Sequence, residues 1–146
     1  LKTYFPQIIG VINKKVTATV FCRFIQKWPT PQAAKSASTL DLRQFFHQNK
    51  CRRADITEKR IHKLSSLIPV TEDSAIVETG AIEAKMLCAE IEFLNEQIRG
   101  LEQQIDQCFM SHPDVEIFTS LPGAGPALAP RLLAALGTDR DRFESA

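Results

Sequence analysis

The sequence lacks a long apolar run and lacks the cysteine spacing of a secreted or zinc-binding protein. No stretch of its 146 residues approaches the length needed to span a bilayer, and its first residues do not have the layout of a signal peptide. The four cysteines, at positions 22, 51, 88 and 108, include no C-x-x-C pair. We therefore expect a reduced, cytoplasmic protein that does not enter a membrane.

Motifs for catalysis are also missing. There is no Gly-rich loop ending in Lys-Ser or Lys-Thr, no His-Glu-x-x-His and no Gly-x-Ser-x-Gly. His47 and Cys51 are four residues apart and could share a helical face, but no second pair of ligands lies nearby. We expect no catalytic residue, metal or cofactor in this chain.

The charge is nearly balanced, with 18 basic and 17 acidic residues and a net charge of +1. The total gives no strong attraction to nucleic acid, but bases concentrate between positions 50 and 63 and acids between 72 and 106. The basic segment predicts a patch that contacts phosphate, or else a solvated loop and helix face. The candidates for phosphate contact are Arg52, Arg53, Arg60 and Lys63.

Residues 1–70 have the apolar spacing of several short helices and no alternation typical of strands. One stripe runs from Val16 to Trp28, and Thr30 and Thr39 are expected to cap the next two helices. A further helix is expected to open at Asp55, with Glu58 completing a capping box, and to run to Pro69 with Ile68 on its apolar face. The aromatic residues fall on these stripes, which predicts a small helical bundle with an aromatic core.

Residues 71–112 predict one long coiled-coil helix. Apolar residues recur there in alternating steps of four and three, with isoleucine at a and leucine at d, a combination that favours two strands if the coil is parallel. The pattern weakens upstream, where Gly80 and Ala84 replace bulky residues. We expect a homodimer, and the alternative is a helix packed on its own neighbours. The dimerisation residues are Leu87, Ile91, Leu94, Ile98, Leu101 and Ile105.

Residues 121–126 have the sequence Leu-Pro-Gly-Ala-Gly-Pro and precede an apolar run, a pattern typical of a helix-hairpin-helix. Glycines let the backbone approach a ligand, and the first N–H groups of the next helix, with Pro126 near its start, suit a phosphate oxygen. The alternative is a rigid connector between helices. The pattern predicts nucleic-acid binding by the backbone N–H groups of Gly123, Gly125, Ala127 and Leu128 and by the charge of Arg131.

With these residues, the chain resembles the DEDD-type transposases of bacterial insertion sequences, the 110/116/902 family. The resemblance covers nearly the whole chain. Its most specific parts are Phe118-Thr119-Ser120-Leu121-Pro122-Gly123-Ala124-Gly125-Pro126 and the tail Arg142-Phe143-Glu144-Ser145-Ala146, with Tyr4-Phe5-Pro6 and Trp28-Pro29-Thr30-Pro31 in support.

The resemblance implies a fragment of a longer recombinase: a linker bundle over 1–70 after a RuvC-like domain, a coiled coil over 71–112, and the start of the C-terminal transposase domain over 113–146. Such enzymes use an acidic tetrad that binds divalent metal, a nucleophilic serine and an element-encoded guide RNA. No residue here matches the tetrad or that serine. We therefore expect a catalytically inert chain that binds DNA, and possible alternatives are a coiled-coil scaffold without nucleic-acid affinity and, less favoured, a repair-type hairpin enzyme.

Overall fold

A computed structural model describes residues 1–13 and 15–139, in which all regular structure is helical. The prediction of an all-α fold is confirmed. Position 14 and the tail motif at 142–146 lie outside the described residues. The chain divides into two compact units, Leu1–Leu94 and Asn95–Ala146, and one long helix passes from the first into the second.

The first unit is built from five short helices and the first part of the long helix. The fifth short helix packs against the first, third and fourth. The elements are α1 (Gln7–Val11), α2 (Thr19–Lys27), α3 (Pro31–Ser36), α4 (Thr39–Gln48), α5 (Ala54–Ser65) and α6 (Ser74–Met110).

Side chains cap the starts of α3 and α4. Thr30 Oγ1 accepts a hydrogen bond from the N–H of Ala33 at 3.1 Å, which confirms the cap predicted for α3. At α4 the cap is Ser38, whose Oγ accepts from the N–H of Asp41 at 3.0 Å. The prediction of Thr39 was wrong by one residue, because the serine already has the extended backbone that a cap requires.

The capping box predicted for α5 is wrong. The cap position is Arg53, whose side chain makes no capping hydrogen bond. The carboxylates of Asp55 and Glu58 are paired with arginines instead. Asp55 accepts from Arg53 at 3.1 Å, and Glu58 is held by Arg43 at 2.7 Å. These arginine hydrogen bonds are the largest cause of the lowered pKa of both carboxyls.

The core of the first unit is aromatic, as the sequence predicts. The Phe24 ring centroid lies 4.9 Å from that of Trp28 and 5.6 Å from that of Phe45, distances at which aromatic pairs attract beyond simple burial. Two residues expected on apolar stripes are exposed instead: Val16 precedes α2, and Ile68 follows α5. The buried aromatics are Tyr4, Phe5, Phe21, Phe24, Trp28, Phe45 and Phe46.

The upstream part of α6 packs on this core through small side chains. Ala81, Ala84 and Cys88 are buried, and Gly80 lies so close to Tyr4 that a Cβ there would be 2.7 Å from the ring. The Tyr4 hydroxyl donates to the carbonyl of Pro29 at 3.1 Å, and burial raises its pKa to about 12. The weakened heptad therefore marks the segment where α6 packs within its own chain.

Two glycines of α6 provide a matched test of this close approach. A Cβ added at Gly100 would meet open space. Gly100→Ala is therefore expected to stabilise the protein by up to about 1 kcal/mol, which is the difference in helix propensity between alanine and glycine. Gly80→Ala gains the same propensity but must displace a buried ring, which costs about 1–3 kcal/mol. Thermal unfolding of the two variants should place Gly80→Ala below Gly100→Ala, and equal melting temperatures would contradict the packing.

The second unit contains the rest of α6 together with α7 (Val115–Ser120) and α8 (Ala129–Leu136), which pack on each other. Its small core consists of Phe109, Phe118 and Ala129. Gly137 ends α8 with φ of 73°, a left-handed conformation suited to glycine, and its N–H donates to the carbonyl of Leu133 at 2.8 Å.

Candidate nucleic-acid interface

The connection between α7 and α8 is made of tight turns. The N–H of Ala124 donates to the carbonyl of Leu121 at 3.0 Å, with Pro122 second and Gly123 third in the turn. Gly123 has φ of 81°, so the arrangement is that of a type II turn, which requires a glycine-like residue at this place. The sequence pattern therefore has a local structural reason in addition to any role in binding.

α8 begins later than the sequence suggests. The carbonyl of Gly125 accepts from the N–H groups of both Leu128 and Ala129, at 2.9 and 3.0 Å, and this turn delays the helix to Ala129. The expectation that Pro126 stands near the helix start is therefore wrong by three residues. Pro130, in the first turn, takes the place where a missing N–H is tolerated.

Only some of the predicted backbone donors are available. The N–H of Gly125 donates to the carbonyl of Gly123 at 3.0 Å, and that of Leu128 is used by Gly125. Within the described part of the chain, the N–H groups of Gly123 and Ala127 make no hydrogen bond, and neither does that of Arg131. The sequence analysis did not identify the N–H of Arg131 as a donor. Its position directly after Pro130, in the first turn of α8, could have indicated it, because the first N–H groups of a helix have no partner within the helix.

Arg131 is exposed and lies at the edge of a groove of about 480 Å³. The groove is also lined by Ala127 and by three charged residues of α6, namely Arg99, Glu102 and Asp106. Two positive and two negative charges therefore face this space. The net field is weak, so an incoming phosphate would be held by directed hydrogen bonds more than by long-range attraction.

The second predicted patch divides into two parts. Arg53 is paired with Asp55, and Arg52 is exposed on the neighbouring loop. Arg60 and Lys63 instead share a cavity of about 430 Å³ with Lys59, and no acidic side chain lines it. The guanidinium of Arg60 also lies over the Phe46 ring, 5.3 Å from its centroid, which limits its freedom.

Lys59 belongs to this basic cavity although it was not among the predicted contacts. It precedes Lys63 by four residues on α5, a spacing that places the two side chains on one helical face. This i, i+4 spacing is visible in the sequence and could have identified it. The basic cavity, defined by Lys59, Arg60 and Lys63, has three positive charges without a nearby acid lining it.

The six predicted dimerisation residues, which we call the seam, are largely exposed along α6. Leu87, Leu94 and Ile98 are each 52 % exposed, and Leu101 and Ile105 are 58 % and 55 % exposed. Ile91 differs, because it is half-buried against the core of the first unit. Such a row of open apolar side chains is unusual on a lone helix and is typical of an interaction surface.

In residues 1–13 and 15–139, no three His, Cys, Asp or Glu side chains come together in a group that could hold a metal ion. Over the same residues, none of the helices combines the length and the apolar character required to cross a membrane. The cysteines of this part of the chain are free thiols, and burial raises the pKa of Cys88 to about 12.

Two curated proteins are similar to this chain. The "Mini-circle putative transposase for IS117" of Streptomyces coelicolor is 27% identical over 161 residues, which include 100% of this chain and 36% of that protein. The "Insertion element IS900 uncharacterized 42 kDa protein" of Mycobacterium paratuberculosis is 29% identical over 123 residues, covering 82% of this chain and 29% of that protein. The chain spans about a third of the length of these relatives.

No protein-family model matches the chain, and no solved structure matches it. Both relatives are named as proteins of insertion elements, one of them as a transposase. The similarity therefore supports a distant relationship to insertion-element transposases.

Proposed function

We propose that this chain is the DNA-binding and dimerisation segment of an insertion-element transposase. In this role α6 joins two protomers, while the hairpin (residues 115–136) and the basic cavity hold the phosphate backbone of DNA. The observation that carries the proposal is the similarity of the whole chain to the mini-circle transposase of Streptomyces coelicolor.

The exposed seam supports dimerisation. Complete burial of a leucine or isoleucine side chain contributes about 1.5–3 kcal/mol, so a residue that is already half-covered still gains about half of that on pairing. Five such residues on each chain provide enough apolar surface to offset the cost of association. A lone helix would leave that surface in water.

The groups available for phosphate contact favour DNA binding without sequence preference. The hairpin supplies the N–H groups of Ala127 and Arg131 and the guanidinium of Arg131, and the basic cavity supplies unopposed positive charge. Contacts from such groups to phosphate position a protein on DNA without specifying sequence. The affinity should therefore fall steeply with added salt.

A narrower part of the proposal is that the parent transposase is of the DEDD type. It rests on the hairpin sequence and on the 142–146 tail, which lies outside the described residues. In such an enzyme the metal-binding tetrad and the nucleophilic serine belong to parts of the parent beyond these 146 residues, so this segment binds and positions DNA, or the guide RNA, without catalysing strand transfer.

Fluorescence anisotropy of a labelled duplex at several salt concentrations tests DNA binding. The unmodified chain is expected to bind more weakly as salt rises, and Arg131→Ala is expected to reduce the slope of log K against log salt by about 1, because one phosphate contact is lost. The double variant Lys59→Ala/Lys63→Ala is expected to reduce the slope by about 2 if both lysines reach phosphates.

Arg43→Ala is the matched control, since it removes the same charge from a side chain already held by Glu58 at 2.7 and 3.1 Å. Its salt slope should equal that of the unmodified chain. A chain that dimerises in light scattering but leaves the duplex anisotropy unchanged at low salt would refute DNA binding, and it would establish the coiled-coil scaffold instead.

A further inference from the structure

An apolar groove lies between α6 and α8 in the second unit, next to the groove that Arg131 lines (the charged groove), with which it shares Ile105 and Pro130. Its volume is about 460 Å³ and no charged side chain lines it. Leu101, Ile105 and Cys108 of α6 form one wall, and Pro130, Leu133 and Ala134 of α8 form the other.

We propose that this groove receives α6 of a second copy of the chain, so that α8 is part of the dimer interface. The proposal rests on the dimerisation proposed above and adds to it a specific role for α8. In this arrangement the hairpin contacts α6 of the partner as well as α6 of its own chain.

Continuity with the seam identifies the occupant as a second copy. Leu101, Ile105 and Cys108 are successive d, a and d positions of the heptad, and they are also the α6 wall of the groove. Helices that pack along such a seam lie about 8–10 Å apart. A helix paired along these positions must therefore pass directly in front of α8.

The chemistry of the groove fits an apolar helix better than other ligands. Nucleic-acid interfaces are polar and positively charged, whereas this groove has no charged lining residue. Leu101 and Ile105 each expose more than half of their surface here. A second copy is the one partner certain to carry an apolar ridge with the same spacing.

The inferred arrangement links dimerisation to DNA contact. α8 faces the apolar groove with Leu133 and Ala134, while Arg131 lines the charged groove. When a partner helix holds α8 from one side, the Arg131 guanidinium is held at a fixed position relative to the dimer axis. Two such hairpins would then contact DNA at a defined separation.

Two adjacent alanines of α8 make a matched test, because both are exposed and only one lines the groove. Ala134 is a lining residue, whereas Ala135 lines neither of the two grooves beside α8. In the full chain, Ala134→Arg is expected to raise the dimer dissociation constant roughly tenfold or more, because the groove cannot hold the longer charged side chain. Ala135→Arg is expected to leave it within about twofold.

Sedimentation equilibrium gives the dissociation constants, and circular dichroism confirms that each variant is helical. If Ala134→Arg loses helix, Ala134→Gln keeps much of the bulk without the charge and must also weaken the dimer. A dimer unaffected by both Ala134 variants yet dissociated by Ile98→Glu would overturn the role of α8 and leave the seam intact. If the unmodified chain stays monomeric, dimerisation itself is refuted. If that monomer still binds the duplex, the proposed DNA binding is not affected.

Discussion

Replacing Ile98 with glutamate is expected to convert a dimer of this chain into monomers. Ile98 is an a position in the middle of the seam, and 52 % of its surface is exposed in the single chain. In a parallel pair, two glutamates would face each other in an apolar interface. An unpaired charge left in such a place costs about 3–5 kcal/mol, which corresponds to a loss of roughly two to four powers of ten in affinity.

Analytical ultracentrifugation over a range of protein concentrations measures this change. Ile82→Glu is the control, because Ile82 is also an exposed isoleucine of α6 but falls at an outer f position when the same register is extended upstream. It should leave the dissociation constant close to that of the unmodified chain. Equal effects of the two substitutions would mean that the seam is not the surface through which the chains pair.

The seam shows how much of the structure of α6 could be predicted from the sequence alone. The heptad predicted one long helix, and the structure has it from Ser74 to Met110. The sequence also offered two uses for its apolar face, pairing with another chain or packing on its own. The structure has the second use upstream, where Gly80 and Ala84 pack inside the first unit, while Leu94 and Ile98 stay exposed, so that pairing stays a prediction for their segment. The small residues that interrupt the heptad were the signal for the intramolecular part.

The capping prediction succeeded at α3 and failed at α5 for physical reasons that can be named. Thr30 was identified correctly because its side chain bonds to the N–H three residues ahead, which is a purely local interaction. Asp55 and Glu58 have the right spacing for a local cap, but an arginine competes for each carboxylate. The partner of Glu58 is Arg43, which comes from another helix, and no local pattern reveals such a distant partner.

For the candidate DNA-binding residues, the sequence could indicate residue types but could not show which backbone atoms are free. The glycine pattern located the turns, but only the backbone hydrogen bonds show that Gly125 and Leu128 are already engaged. The negative charge near Arg131 could not be predicted from the sequence either, because Glu102 and Asp106 are far from Arg131 along the chain. The basic cavity was easier to foresee, since Lys59 and Lys63 are one helical turn apart.

Phe24→Ala is expected to destabilise the first unit by about 3–5 kcal/mol, as large-to-small changes in aromatic cores do. Phe24 is fully buried, and its ring contacts those of Trp28 and Phe45. The substitution removes the buried area and leaves a cavity, and it also removes two aromatic pairs that each contribute about 0.5–1.5 kcal/mol beyond burial. For a unit of this size, the melting temperature should fall by more than about 10 °C.

Trp28 is the only tryptophan of the chain and lies 4.9 Å from Phe24, so its fluorescence reports directly on this core during heating. Leu40→Ala is the control, because Leu40 is 72 % exposed on α4 and its loss should change stability by no more than about 0.5 kcal/mol. Equal melting temperatures for the two variants would contradict the aromatic core. Because Gly80 of α6 packs against Tyr4 of the same core, we expect the loss of Phe24 also to weaken the packing of the upstream part of α6.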